Sequence, residues 1–178
     1  RVLAEAKSYA ERLFDFHEIE RLSDDLARRA LTDPTAIEGV DWEPEAVDFV
    51  VAEAAGYPYF LQQYGQETWN AAATNTLTLT DARIGAVSAQ AALDTGFFRS
   101  RWERATPSEK RYLQAMAVDG DGGSAAGDIA TRLNKKTTSL GPVRAGLIGK
   151  GLIYAPAHGW VAFTVPRMSS FIGRQVLD

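Results

Sequence analysis

Between residues 124 and 165 the sequence follows the order helix, turn, helix and hairpin, and this order constrains the fold more than any other feature. Ser124 can cap a short helix that runs to Leu133. The tetrapeptide Asn-Lys-Lys-Thr at 134–137 then interrupts the helical pattern, because Asn, Thr and adjacent like charges favour turns over helix interiors. Two short helices separated by a tight turn are therefore expected.

The second of these helices is expected to begin near Thr138 or Ser139. Pro142 would lie in its first turn, where a missing N–H costs little. Gly151 follows its end, where a residue in the left-handed conformation is favoured. Proline and glycine thus mark the two ends of this helix.

Two short apolar segments follow, at residues 152–155 and 160–165, and the sequence Pro-Ala-His-Gly joins them. Apolar runs of this length around a turn with proline and glycine indicate a β-hairpin. A helix-turn-helix followed by a hairpin is the pattern of a winged helix-turn-helix. Such a module most often lays its second helix in the major groove of DNA.

The remaining sequence is typical of helices. Caps, prolines and the spacing of apolar residues predict five helices. The first covers residues 24–31, between a cap at Ser23 and a stop at Asp33-Pro34, and the second runs from 41 or 42 to 55 and is ended by Gly56. The others cover residues 57–73, residues 81–95 with a cap at Thr80, and residues 107–118 with a capping box from Thr106 to Glu109. Residues 14–19 alternate between apolar and polar and predict a lone strand. The predicted fold class is mainly α, a small helical bundle followed by a winged helix-turn-helix with one β-hairpin.

Composition narrows the function. The chain has no cysteine, which excludes disulfides and thiolate metal sites, and a cytoplasmic location is expected. No apolar run approaches the roughly 18 residues needed to cross a bilayer. No signal-peptide pattern opens the chain, which begins with Arg1 and is expected to be a piece of a longer polypeptide.

Charge is divided unevenly along the chain. Residues 1–106 carry 10 Lys and Arg against 18 Asp and Glu, whereas residues 107–178 carry 9 against 5. Neutralisation of phosphates depends on the local surface and not on the total charge. The C-terminal part can therefore bind nucleic acid although the net charge of the whole chain is −4.

Three segments, read together, resemble a known family: Gly-Tyr-Pro-Tyr-Phe-Leu-Gln at 56–62, Thr-Thr-Ser-Leu-Gly-Pro-Val-Arg-Ala-Gly-Leu-Ile at 137–148 and Gly-Leu-Ile-Tyr at 151–154. They look like the C-terminal half of bacterial and archaeal P-loop ATPases of the AAA+/STAND group. That group is related to replication initiators of the origin-recognition and cell-division-cycle type. The resemblance covers nearly the whole chain and implies a helical lid followed by a winged helix.

The resemblance also implies a division into domains. Residues 1–22 would be the end of a missing ATPase core, with its orphan strand and a connector. Residues 23–96 would form a helical lid-like domain, 97–106 a linker and 107–178 the winged-helix domain. A surface of the lid that had faced the core would then be exposed, and oligomers could form through it.

The lid of this family carries a Gly-x-Pro motif whose proline lies near the adenine of bound nucleotide, and Gly56, Tyr57 and Pro58 match that motif. The resemblance implies that these residues are close to adenine only when the core supplies the phosphate site. A simpler interpretation is also open. Glycine can end one helix and proline can begin the next.

The chain itself offers no phosphate-binding loop. Its nearest approach to a Walker A motif runs from Gly141 to Gly146, where Leu147 stands in place of the lysine. We therefore expect no enzyme activity and no cofactor in this chain alone. The resemblance implies that the full-length parent is an ATPase that binds ATP or ADP with Mg²⁺.

Other candidate chemistry is weak. The sequence Asp-Gly-Asp-Gly-Gly at 119–123 is similar to the start of a calcium loop, but no glutamate stands at position twelve, which favours a flexible turn. His17 and His158 have no partner at metal-ligand spacing. The sequence therefore predicts no metal site.

Candidate DNA contacts surround the predicted turn and second helix. The cations there are Lys135, Lys136, Arg144 and Lys150, and Thr137, Thr138 and Ser139 offer hydroxyls and helix N-terminal amides to phosphate. Arg144 is the one convincing base-contacting candidate, because Gly, Ala and Ser occupy the positions around it. We expect weakly specific contact with duplex DNA.

Two alternatives remain open. The chain could be a free-standing winged-helix transcription regulator whose N-terminal helices sense a ligand or dimerise, or an adaptor that binds a protein partner and never touches nucleic acid. No membrane partner is expected.

Four aromatic residues near one helix either pack the core of the helical bundle or form an exposed patch: Tyr57, Tyr59, Tyr64 and Trp69.

Overall fold

A computed structural model describes residues 21–175 of the chain. The N-terminal helices are α1 (Asp24–Ile37), α2 (Pro44–Ala54), α3 (Pro58–Ala71) and α4 (Leu79–Ala92). Two short strands, β1 (Asp41–Trp42) and β2 (Thr76–Leu77), pair in parallel between them. The strand predicted at residues 14–19 lies outside the described residues, as do residues 1–20 of the domain end predicted at 1–22.

Small residues let α3 and α4 cross closely. A Cβ atom at Gly85 would lie 2.5–2.6 Å from the backbone of Glu67 and Thr68. Ala82 and Ala89, on the same helix, are fully buried. The alanine-rich sequence of α4 thus brings two helix backbones together, and large apolar residues of α3, such as Phe60, fill the adjacent core.

The predicted end of α1 at Asp33-Pro34 is wrong, because the helix continues through Pro34 to Ile37. The side chain of Thr35, the residue after the proline, joins this part of the helix to its surroundings. Its hydroxyl donates to the carbonyl oxygens of Leu31 and Thr32 and accepts from Nε1 of Trp42. These contacts hold the turn after the proline in helical form, a tertiary effect that overrides local propensity.

Two further element starts differ from the prediction. The cap of α4 is Thr78 and not Thr80, because Asp81 reaches back to the Thr78 backbone N–H at 2.9 Å and completes a capping box. Residues 41–42 form β1 and not the start of a helix, since α2 begins at Pro44.

The chain stays helical between the two parts of the molecule. Residues Leu93–Phe98 form a π-helical segment and Arg99–Glu103 form α5, whereas the sequence predicts a break at Gly96 and a linker over 97–106. Phe98 is fully buried among aromatic rings, and Trp102 is also buried. Burial of these rings keeps the segment ordered across Gly96. The proposed division into domains stays a prediction.

The C-terminal part has the connectivity of a winged helix, which confirms the predicted fold class. Its elements are α6 (Pro107–Ala117), β3 (Ser124–Ala125), α7 (Ala126–Arg132), α8 (Gly141–Gly149), β4 (Ile153–Tyr154), β5 (Trp160–Phe163) and α9 (Met168–Gly173). The strands form an antiparallel sheet in the order β3-β5-β4. The capping box of Thr106 and Glu109 at the start of α6 is confirmed.

Two details of this module were predicted incorrectly. Ser124 belongs to β3, and its hydroxyl donates to the Met116 carbonyl oxygen and caps no helix. The second helix begins as a 3₁₀ turn at Thr137–Leu140 before α8 starts at Gly141. Gly151 follows α8 with φ +67, as its place after the helix predicts.

Helix α9 joins the winged helix to the helical bundle. Phe171 of α9 stacks on Phe98 with ring centroids 5.3 Å apart. Arg174 donates to both carboxylate oxygens of Asp94 at 2.8 Å. Arg167 lies 3.0 Å from the Glu53 carboxylate. Stacking and two interhelical ion pairs therefore connect the two parts of the molecule.

Candidate nucleic-acid interface

The turn between α7 and α8 places two lysines on the surface. Asn134 takes the left-handed conformation with φ 51, and the backbone N–H of Lys135 donates to the Ala130 carbonyl oxygen at 2.9 Å. Asparagine tolerates this conformation better than most residues, so the turn forms where the sequence predicts it. Lys135 and Lys136 are both exposed, and neither forms a salt bridge within residues 21–175.

The hydroxyl residues after the turn form the 3₁₀ segment that leads into α8. Thr137, Thr138 and Ser139 are all exposed, and buried Leu140 anchors the segment to the core. The Ser139 hydroxyl donates to the Lys136 carbonyl oxygen at 2.7 Å. Lysine side chains and hydroxyl residues are therefore exposed next to one another along the chain.

The exposed face of α8 carries almost no hydrogen-bonding side chains. Its exposed positions are glycine, proline, alanine and isoleucine: Gly141, Pro142, Ala145, Ile148 and Gly149. Reading a base edge requires donors and acceptors that these residues lack. This face can pack against a backbone or an apolar surface, but it cannot discriminate between bases through side-chain hydrogen bonds.

Arg144 lies to one side of this face and is partly buried. It lines a cavity of about 260 Å³ between α6, the start of α8 and the tip of the hairpin, which also contains Tyr112 and His158. Burial raises the pKa of Tyr112, and the nearby charge of Arg144 acts in the opposite direction. The sequence identifies Arg144 as a candidate but does not predict this cavity, because Tyr112, Arg144 and His158 come from three separate elements.

Lys150, the fourth predicted cation, is engaged within the protein. Its ammonium lies 2.5 Å from the Glu109 carboxylate and donates to the Arg104 carbonyl oxygen at 2.9 Å. Burial acts to raise the pKa of Glu109, but hydrogen bonds from Lys150 and Thr106 outweigh it and hold the pKa below its ordinary value. The structure thus brings Lys135, Lys136 and the hydroxyls together but leaves Lys150 in an ion pair.

The acids of the loop predicted as a turn also have structural partners. Asp119 binds Arg132 through two hydrogen bonds of 2.5 and 2.6 Å. Asp121 accepts from the backbone N–H of Arg167 and from the Ser169 hydroxyl at the start of α9. Within residues 21–175 no group of three metal-ligating side chains occurs. His158 is exposed on the hairpin, and His17 lies outside the described residues.

The Gly-Tyr-Pro segment forms a tight turn between α2 and α3. Gly56 has φ +71, and a Cβ atom there would lie 2.9 Å from the Leu22 carbonyl oxygen. The Leu22 backbone N–H donates to the Gly56 carbonyl oxygen at 2.9 Å. Pro58 occupies the first turn of α3. Chain geometry alone therefore explains the glycine and the proline.

Aromatic rings cluster beside this turn. Tyr59 is 52% exposed and stacks on Phe97 with ring centroids 5.3 Å apart. The Arg101 guanidinium lies 3.5 Å from the centroid of Phe97. Tyr64 is buried in the bundle and donates to Gln90, whereas Trp69 is 42% exposed. Of the aromatic residues singled out in the sequence, Tyr64 therefore packs in the core of the bundle, whereas Tyr59 and Trp69 are partly exposed.

Comparisons with known proteins give a limited result. A family model described as a domain of unknown function, DUF8462, matches residues 95–172. No curated protein matches the chain. In the described part of the chain, each helix is too short or too polar to traverse a membrane.

The solved structures that are similar include RuvB of Thermotoga maritima, a Holliday junction branch migration motor. That structure is 11% identical over 90% of this chain and 52% of its own, with a TM-score of 0.41. A variant of the same protein gives 10% identity over the same shares and the same TM-score. This chain spans about half the length of these structures. A similarity of this degree carries no functional argument.

Proposed function

We propose that this chain is a non-catalytic region of a larger AAA+/STAND-type ATPase whose winged helix binds duplex DNA with little sequence specificity. The proposal that the winged helix binds DNA rests on the exposed turn between α7 and α8. Two lysines without salt bridges in the described part of the chain stand there beside three exposed hydroxyl residues. Cations and hydroxyls of this kind bind backbone phosphates, which fix a protein on DNA without reading its sequence.

Low specificity follows from the rest of the helix. The exposed positions of α8 lack base-reading side chains, and Arg144 is partly buried at the side of the helix. Specific recognition needs several well-placed donors and acceptors in the groove. Phosphate contacts would therefore supply most of the affinity.

The ATPase part of the proposal rests on the resemblance of the sequence around Gly56, Tyr57 and Pro58. In this proposal ATP or ADP with Mg²⁺ binds to the larger protein, and the Gly-Tyr-Pro turn lies near the adenine. The partly exposed pair of Tyr59 and Phe97 beside that turn offers flat apolar surface to the rest of such a protein. Sequencing the complete reading frame tests this part, because a frame without a Walker A motif would contradict it.

A protein partner is the second candidate, and the apolar face of α8 favours it. Ile148 is 38% exposed there and is flanked by glycine and alanine. An apolar helix face of this kind can pack against another protein. A free-standing transcription regulator would use the same lysines on DNA but would need no ATPase core.

The DNA proposal is tested by titrating a duplex with the chain at two salt concentrations. We expect weak binding that falls as salt rises, and Lys135→Ala with Lys136→Ala should reduce both the affinity and the salt slope, the latter by about one per lysine. The matched control is Arg28→Ala with Arg29→Ala on α1, which removes the same charge elsewhere. Equal losses in both double variants would contradict a local site.

A further inference from the structure

The cavity beside Arg144 has the chemistry of an anion site. It lies where α6, the 3₁₀ segment before α8 and the hairpin tip meet, and its polar side chains come from Tyr112, Thr137, Arg144 and His158. No aspartate or glutamate of the described residues lines it. Hydroxyls, an imidazole and a guanidinium all donate hydrogen bonds, so their natural ligand is a group rich in acceptor oxygens.

Arg144 supplies the strongest indication. Its Nε atom is buried and has no hydrogen-bond acceptor among residues 21–175. The guanidinium also forms no salt bridge within that range. A buried charged donor without an acceptor costs free energy. Arg144 lines the cavity, so an oxyanion bound there would place charged acceptors beside its guanidinium.

Tyr112 favours an oxyanion for a second reason. Its side chain is only 1% exposed, and burial raises the pKa of its hydroxyl, so the group stays protonated at neutral pH. A neutral hydroxyl can donate to an anion without repelling it. Thr137, in the 3₁₀ segment before α8, lines the same cavity. Residues with donor groups thus come to the cavity from more than one element.

We propose that this cavity binds a phosphate group through Arg144, Tyr112 and Thr137. Its volume of about 260 Å³ lies just below the usual range of about 300–1,000 Å³ for small-molecule sites. A phosphate with part of its ester therefore fits better than a large ligand. Phosphate could come from the DNA backbone as it passes between the hairpin tip and α8, which rests on the proposed function, or from a free phosphate or phosphorylated small molecule.

Two probes distinguish these sources. Inorganic phosphate is titrated into the chain by calorimetry in chloride buffer, and duplex DNA is titrated separately. Arg144→Gln removes the charge at similar size, and Tyr112→Phe removes only the hydroxyl. We expect at least tenfold weaker binding for the first variant and a few-fold loss for the second. Arg28→Ala with Arg29→Ala on α1 removes two positive charges from residues that do not line the cavity and should leave the binding of inorganic phosphate unchanged.

The outcomes separate this proposal from the proposed function. If inorganic phosphate binds and Arg144→Gln abolishes it while duplex DNA never binds, the cavity is a free-phosphate site and the DNA function fails. If only duplex DNA binds and both cavity variants weaken it, the DNA backbone is the source. If neither probe responds to Arg144→Gln or Tyr112→Phe, the phosphate site is excluded. Tyr112→Phe keeps the test decisive should Arg144→Gln fail to fold.

Discussion

The two sides of the winged helix use their cations in opposite ways. On the inner side, which faces the helical bundle, Arg167 and Arg174 pair with Glu53 and Asp94 of that bundle. On the outer side, the turn between α7 and α8 presents Lys135 and Lys136 without salt bridges in the described part of the chain. The inner cations attach one part of the molecule to another, whereas the outer ones are available to a ligand.

Because of this difference, only part of the positive charge in residues 107–178 is available to attract nucleic acid. Among residues 21–175, four of the nine Lys and Arg residues there form salt bridges: Arg132, Lys150, Arg167 and Arg174. Paired cations contribute little to a long-range field, because the partner carboxylate cancels them. The charge that can act on nucleic acid is therefore smaller than the sequence total indicates, and it includes Lys135 and Lys136 at the outer side.

The largest effect is expected where the inner side buries an aromatic ring. Phe171→Ala should lower the free energy of unfolding by about 3–5 kcal/mol, because it leaves a cavity beneath Phe98. Urea denaturation followed by circular dichroism measures this loss. Tyr154→Ala on the half-exposed hairpin is the outer control and should cost less than about 1 kcal/mol. Equal losses would show that the two sides do not differ.

Glu109→Gln should have the next largest effect. The carboxylate is only 6% exposed, and its replacement leaves the Lys150 ammonium without its anionic partner. Water reaches Lys150, whose side chain is 31% exposed, so we expect a loss of about 2 kcal/mol at neutral pH. Thermal unfolding of both proteins measures it.

The same pair predicts a pH dependence. The folded pKa of Glu109 lies below its ordinary value of 4.5, so its stabilising contribution is complete above that pH. The contribution is lost as the pH falls through the folded pKa. The difference in stability between the protein and Glu109→Gln should therefore shrink in acid. A difference that stays constant from neutral pH into strong acid would contradict this assignment.

Some features that depend on residues close together in the chain, such as a helix cap and a tight turn, were predicted correctly from the sequence. The capping box at Thr106 and Glu109 and the turn at Asn134 depend on residues a few positions apart, and both appear in the structure. By contrast, α1 continues through Pro34 where Trp42 donates to Thr35, and the ordered segment at Phe98 stacks on Phe171. Contacts between distant residues leave no periodic pattern in a single sequence.

In the candidate nucleic-acid interface too, some features follow from neighbouring residues and others depend on contacts between distant parts of the chain. The exposed cations and hydroxyls around Lys135 follow from turn chemistry that the sequence displays. The pairing of Lys150 with Glu109 joins residues 41 positions apart, and the cavity at Arg144 requires three elements to meet. Sequence reasoning therefore found the cations and hydroxyls of this region but not Tyr112, and it could not separate the exposed cations from the one that pairs with Glu109.

A smaller effect is expected for Arg174→Met on the inner side. The side chain is 46% exposed, and an ion pair in contact with water contributes about 0–1 kcal/mol. We expect a loss near the middle of that range, measured by urea denaturation, and it should decrease further at high salt. A loss as large as that of Phe171→Ala would mean that charge, and not aromatic packing, holds the inner side together.

The smallest effect on stability is expected for Lys135→Ala with Lys136→Ala. Both side chains are exposed, and their removal also relieves the repulsion between adjacent like charges. The free energy of unfolding should change by less than about 0.5 kcal/mol. Because the same variant is expected to lose DNA affinity, stability and binding would separate at the outer side, whereas Arg174→Met should change stability and leave affinity intact. A double lysine variant that unfolded easily would give these residues a structural role and remove the difference between the two sides.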